Sequence, residues 1–109
     1  VMILSLWKQE GKTGGGNMTR LNFRKIAEHR RSYRATNITD VNPAYAGAVK
    51  AIEIFYMSAN EVGASNWGWT MCRYDEHGNQ VGDGEYCCYK AEAVERANWI
   101  AANTEVLDS

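Results

Sequence analysis

No apolar run in this sequence approaches the roughly 20 residues that a membrane-crossing helix needs, so a membrane is not among the expected partners. Val1 to Trp7 is apolar but short, and no basic stretch precedes it, so a secretory signal is not supported. Cysteine is scarce. Cys72, Cys87 and Cys88 are an odd number without framework spacing, which points to reduced thiols in the cytoplasm and not to an oxidised secreted scaffold. They form no C-x-x-C pair, and Cys87 and Cys88 point to opposite sides of a strand, so neither a metal site nor a cofactor is expected. Of the two histidines, His29 and His77, neither has a carboxylate, thiol or hydroxyl placed beside it by local spacing. No catalytic residue is therefore assigned, and a non-enzymatic protein is expected. Gly11-Lys12-Thr13 resembles the end of a phosphate-binding loop, but Leu6 stands where that loop needs its first glycine.

What the sequence has is a charge split. The 109 residues fit a single domain, and their net charge of −1 looks unremarkable. Resolved along the chain, residues 20–34 carry Arg20, Arg24, Lys25, Arg30, Arg31 and Arg34 against Glu28 alone, for +5, whereas residues 35–109 carry −7. Two readings follow. The basic block pairs with the acidic body, its own or a second subunit's, or it neutralises phosphates, for which arginine's bidentate fork is suited.

Periodicity gives an α+β domain: a small antiparallel sheet centred on a β-hairpin (66–89), packed against two or three helices. Residues 1–17, with Gly14 to Gly16 just before Met18, read as a leader or a loosely attached strand. Phe23, Ile26, Ala27, Arg30 and Tyr33 trace a helical stripe over 22–34. Asn42-Pro43 opens a second helix whose stripe runs from Ala44 to Ala59, preferred over a rival in which residues 52–57 are a strand. Trp67, Trp69 and Met71 alternate along the first hairpin strand, and a two-residue His77-Gly78 turn sets Trp69 opposite Tyr86 and Trp67 opposite Cys88. The Gly82-Asp83-Gly84 stretch is expected to host a bulge. Lys90 to Asn103 forms the last helix, its alanine stripe matched to the large sheet aromatics, and the tail from Glu105 frays. The expected core holds Trp67, Trp69, Met71, Tyr86 and Ile100 with Tyr45, Val49, Ile52 and Tyr56, and Cys88 points inward while Cys87 faces away.

Two features suggest function. The basic residues of 20–34 are candidates for contact with nucleic acid or an acidic partner. Trp99 falls on the outer side of the last helix among Glu92, Glu95, Arg96 and Asn103, a composition that marks a protein interface. A base-stacking platform of Trp67, Trp69 and Tyr86 is the lesser alternative to their use in the core. Gly68-Trp69, Asp75-Glu-His-Gly-Asn79 and Lys90-Ala-Glu-Ala-Val-Glu-Arg-Ala-Asn-Trp-Ile-Ala101, within residues 67–102, resemble short uncharacterised bacterial and phage hairpin-plus-helix domains. That resemblance implies a fold and no activity. The composition is also similar to that of products of phages or mobile gene cassettes. The expectation is a small interaction protein that self-associates, a dimer being favoured, with nucleic-acid binding through residues 20–34 as the alternative.

Overall fold

The computed structural model describes residues 19–26, 31–57 and 67–108. Five strands form one antiparallel sheet in chain order: β1 (Arg24–Lys25), β2 (Ser32–Ala35), β3 (Ala51–Met57), β4 (Gly68–Tyr74) and β5 (Glu85–Cys87). Among the described residues three helices accompany them: α1 (Ile38–Val41), α2 (Lys90–Ala102) and α3 (Thr104–Leu107). The expected α+β class with its 66–89 hairpin is what forms. Among the described residues no helix is long and apolar enough to cross a membrane.

The sheet is larger than expected because two segments expected to be helical are extended. The described residues of the 22–34 segment supply β1 and β2, paired Arg24 to Arg34 and Lys25 to Tyr33, whereas 27–30 lie outside the described residues. On β2, Tyr33 and Ala35 face α2 while Ser32 and Arg34 face away, a two-residue period that the coincidental helical stripe concealed. In the second segment, Pro43 opens a turn and no helix: the Tyr45 N–H donates to the Asn42 carbonyl, 2.9 Å, with proline at the second turn position. Ile52-Glu-Ile-Phe-Tyr-Met57 is rich in β-branched and aromatic residues. As β3 it buries Ile52 and Ile54 completely, so the strand alternative for 52–57 is the correct one.

The hairpin of β4 and β5 is displaced by one residue from its expected register. Asp75 and Asn79 close a three-residue loop in which Gly78 takes φ +81°, a conformation that glycine adopts without steric cost. The Asp75 carboxylate fixes this loop by accepting the His77 and Asn79 N–H groups, both at 2.9 Å. Beyond it, Val81 donates to Arg73, yet Glu85 already pairs with Met71. The return strand therefore carries two extra residues around Gly82–Gly84, the bulge expected there. The net slip brings Cys87, not Tyr86, opposite Trp69, and every β5 side chain changes face. Cys87 is buried, Cys88 is exposed, and Tyr86 crosses the far face with its ring over Gly68.

α2 covers the sheet through Ala93, Ala97, Ile100 and Ala101, which meet Ile52, Ile54 and Met71. Burying each of these large side chains contributes about 1.5–3 kcal/mol. The alanines bring the helix close to the sheet, as their spacing suggests. Asn98 ties the start of the described chain to α2: its Oδ1 accepts the Leu21 N–H at 2.7 Å and its Nδ2 donates to the Val94 carbonyl at 2.9 Å. The expected fraying of the tail does not occur, because Leu107 is fully buried in α3 and Asp108 accepts a hydrogen bond from the Tyr45 hydroxyl at 2.9 Å. Arg73 lies buried beneath α3 and donates to the Val106 carbonyl at 2.8 Å.

Candidate functional site

The slip in β5 and the length of α2 together leave part of the sheet's helix face uncovered by α2. Arg31, Tyr56, Trp69 and Cys87 form one row across β2 to β5, one pair beyond Tyr33, Ile54, Met71 and Glu85. The first residue of α2, Lys90, stands between these two rows, its ammonium 3.7 Å from the Tyr33 ring centre and 5.9 Å from that of Trp69. Trp67 lies two residues further along the same face and is 57% exposed. It is not a core residue, as the sequence suggests, because it stands beyond the part of the sheet that α2 covers. Its ring instead stacks on Tyr56, with centroids 5.1 Å apart and planes 17° from parallel. Tyr56 is tilted against Trp69 at 5.5 Å, and Trp69 against Tyr33 at 6.1 Å. The Arg31 guanidinium sits over the Tyr56 ring at 4.8 Å. Tyr89, just before α2, is 73% exposed.

This is a continuous aromatic surface with cations seated on it. Aromatic faces attract cations through their quadrupole, and neither contact consumes the cation's charge. Of the expected stacking trio, Trp67 and Trp69 share the surface, whereas Tyr86 lies on the opposite face.

The basic residues of 20–34 do not act as one block. Arg20 pairs with Glu95, and Arg34 with Glu53 at 2.7 Å. These two fit the self-pairing reading of the charge split. Arg24 and Lys25 are exposed on the two-residue edge strand β1, where charged side chains also discourage pairing with another chain's strand. Arg31 is exposed and makes no ion pair with a described residue. Arg30 lies outside the described residues, as do His29 and the segment 1–17.

Trp99 and the four residues around it have partners within the chain. Trp99 itself is half-buried against the core, with the Arg96 guanidinium 4.9 Å from its ring centre. Arg96 donates to Glu85 at 2.9 Å, Glu95 holds Arg20, Glu92 accepts the Cys88 N–H at 3.0 Å, and Asn103 donates to the Trp99 carbonyl at 2.6 Å. The helical angle that makes Trp99 look outward from the sequence does not reveal that Arg20 and Glu85 approach the same side of α2.

Other chemistry is muted. Burial pushes the Cys87 thiol up to about 11 and raises that of Cys72, so both are thiols at neutral pH and poor nucleophiles. A cavity of about 370 Å³ on the far face lies between Arg34, Lys50, Glu53 and Tyr74, but its mixed charges partly neutralise each other. No group of three or more His, Cys, Asp or Glu side chains among the described residues is arranged to hold a metal ion. No family model matches the chain, and no curated protein or solved structure matches it either. The site is therefore read from its own geometry.

Sequence reasoning found Trp67, Trp69 and Tyr56 but assigned them to the core, and it passed over Lys90 and Tyr89. The available signal was the strand reading of 52–57, since it places Tyr56 beside Trp69 once β3 and β4 are paired.

Proposed function

We propose that this protein is a non-enzymatic binding module for single-stranded nucleic acid. The observation that carries the reading is the exposed Trp67 ring stacked on Tyr56, with the Arg31 guanidinium over that same tyrosine. A solvent-exposed indole backed by a second ring offers a flat π-face for an unpaired base, and the adjacent cations offer charge for its phosphates. Lys90 and Lys25 add positive charge at the same end of the sheet. A duplex is a poorer fit, because its bases are already stacked on one another.

Fluorescence anisotropy of a labelled short single strand tests this over a salt series. Binding should weaken as salt rises, with quenching of tryptophan fluorescence on saturation. Trp67→Ala should weaken it by about ten-fold or more, since stacking on one base contributes roughly 1–3 kcal/mol. Trp67→Ala should also leave the fold nearly as stable as before, whereas Trp69→Ala, which packs against the core, should cost about 3 kcal/mol. No binding at low salt, or binding indifferent to Trp67→Ala, rejects the proposal. An oligomer in sedimentation, without any strand binding, would favour the self-association reading instead.

A further inference from the structure

Arg31 has an unexpected backbone for its side chain. It is the one non-glycine residue with positive φ among the described residues, at 54°. In that left-handed region the Cβ crowds the following carbonyl, so glycine is favoured and asparagine or aspartate is tolerated. The Arg31 backbone serves the sheet: its carbonyl accepts the Tyr56 N–H at 3.1 Å, starting the β2–β3 ladder. Glycine would supply that carbonyl equally well.

The side chain has a different surrounding from the other arginines with described contacts. Arg20, Arg34 and Arg96 each hold a carboxylate, and Arg73 holds backbone carbonyls. The Arg31 guanidinium rests on an aromatic ring, as that of Arg96 also does, but holds no carboxylate among the described residues. A cation placed on a π-face keeps its full charge, and its N–H edge remains open to a planar or tetrahedral anion. The same ring carries Trp67 on it, so an anion meeting Arg31 and a base stacked on Trp67 are separated by little more than the Tyr56 and Trp67 rings.

We infer that Arg31 is the phosphate-binding residue of this surface, retained at a left-handed position that suits glycine because its guanidinium meets a phosphate of the strand whose base stacks on Trp67. The inference rests on the single-strand reading above and adds to it the residue that supplies the electrostatic contact.

The test is Arg31→Gly beside Arg31→Lys, each titrated with a fluorescein-labelled oligothymidylate over a salt series and each melted without ligand. Arg31→Gly should melt at the parental temperature or above it. It should bind about five-fold more weakly near 0.1 M salt, and the salt slope should fall by about 0.7, the share of one phosphate on a single strand. Arg31→Lys should restore the slope. Parental affinity and slope in Arg31→Gly overturn the inference while leaving the single-strand reading intact, provided Trp67→Ala still weakens binding. A melting temperature lowered by more than about 5 °C in Arg31→Gly overturns it too, because Arg31 would then serve the fold. If the parent protein does not bind the strand, both readings fall together.

Discussion

Replacing Tyr45 by phenylalanine removes one oxygen atom, and the structure indicates how much that should matter. The hydroxyl accepts the Val49 N–H at 2.8 Å and donates to Asp108 at 2.9 Å, joining the loop before β3 to the segment after α3. Tyr45 is 6% exposed and Val49 is fully buried, so water cannot readily replace the oxygen at the Val49 end. An orphaned buried N–H costs about 1–3 kcal/mol. Asp108 is exposed and regains water, so its side of the loss is smaller. Tyr45→Phe should therefore destabilise the protein by about 2 kcal/mol. Taking an unfolding entropy of roughly 2.1 cal/mol/K per residue over the chain, this lowers the melting temperature by about 9 °C. Urea titration followed by tryptophan fluorescence, with calorimetry alongside, gives both numbers. Asp108→Ala should cost less by itself and add little in the phenylalanine background, since the two side chains share one bond. Gly47 provides an independent check: a Cβ there would fall 2.0 Å from the Asp108 carboxylate and 2.5 Å from the Tyr45 hydroxyl, so Gly47→Ala should disturb the same junction. A loss below about 0.5 kcal/mol in Tyr45→Phe, with unchanged denaturant slope, would refute the reasoning that this hydroxyl satisfies a buried amide.

Three further outcomes follow from the same structure. A thiol-reactive dye should label Cys88 quickly in the native protein and reach Cys72 and Cys87 only on unfolding; fast labelling of Cys87 would restore the register expected from the sequence. The buried Thr70 hydroxyl has no hydrogen-bond partner among the described residues, so Thr70→Val should leave stability unchanged or raise it by up to about 1 kcal/mol in urea titration. Burial, the largest cause at both sites, pushes the phenols of Tyr45 and Tyr74 from 10.0 up to about 12. Between those values the folded chain holds protons that the unfolded chain has released, so stability should fall as pH rises from about 10 to 12, which alkaline unfolding followed by circular dichroism would show.

The fold class and α2 were legible because they rest on long, regular periods: the alanines of 93, 97 and 101 recur at helical spacing, and Trp67, Trp69 and Met71 alternate cleanly. Residues 22–34 suggest a helix because β1 and β2 are too short to display a period of their own: Phe23 and Ile26 flank β1, Tyr33 lies on β2, and the three fall by chance on one helical wheel. The stripe from Tyr45 through Val49 to Ile52 failed similarly, since it spans a turn and the start of β3. Trp67, Tyr86 and the two adjacent cysteines depended on register. Nothing in the local sequence of the hairpin states how many residues the Gly82–Gly84 bulge absorbs, and one residue of slip exchanges the faces. The site was least legible. It depends on where α2 stops covering the sheet and on which arginines find carboxylates, and both are decided by contacts between distant segments.

The sheet's strand order has a consequence for how the molecule is made. Because β1 to β5 neighbour one another in chain order, each strand can pair with the one before it as the chain elongates, closing only local loops. The contacts that fasten α2 and α3 span far more chain, 77 residues from Leu21 to Asn98 and 63 from Tyr45 to Asp108. During synthesis the apolar face of Ile52, Ile54 and Met71 thus forms before the helix that shields it has been translated. That interval is when the nascent chain is most prone to aggregate, and slowing translation between the codons for β5 and α2 should lower the soluble yield.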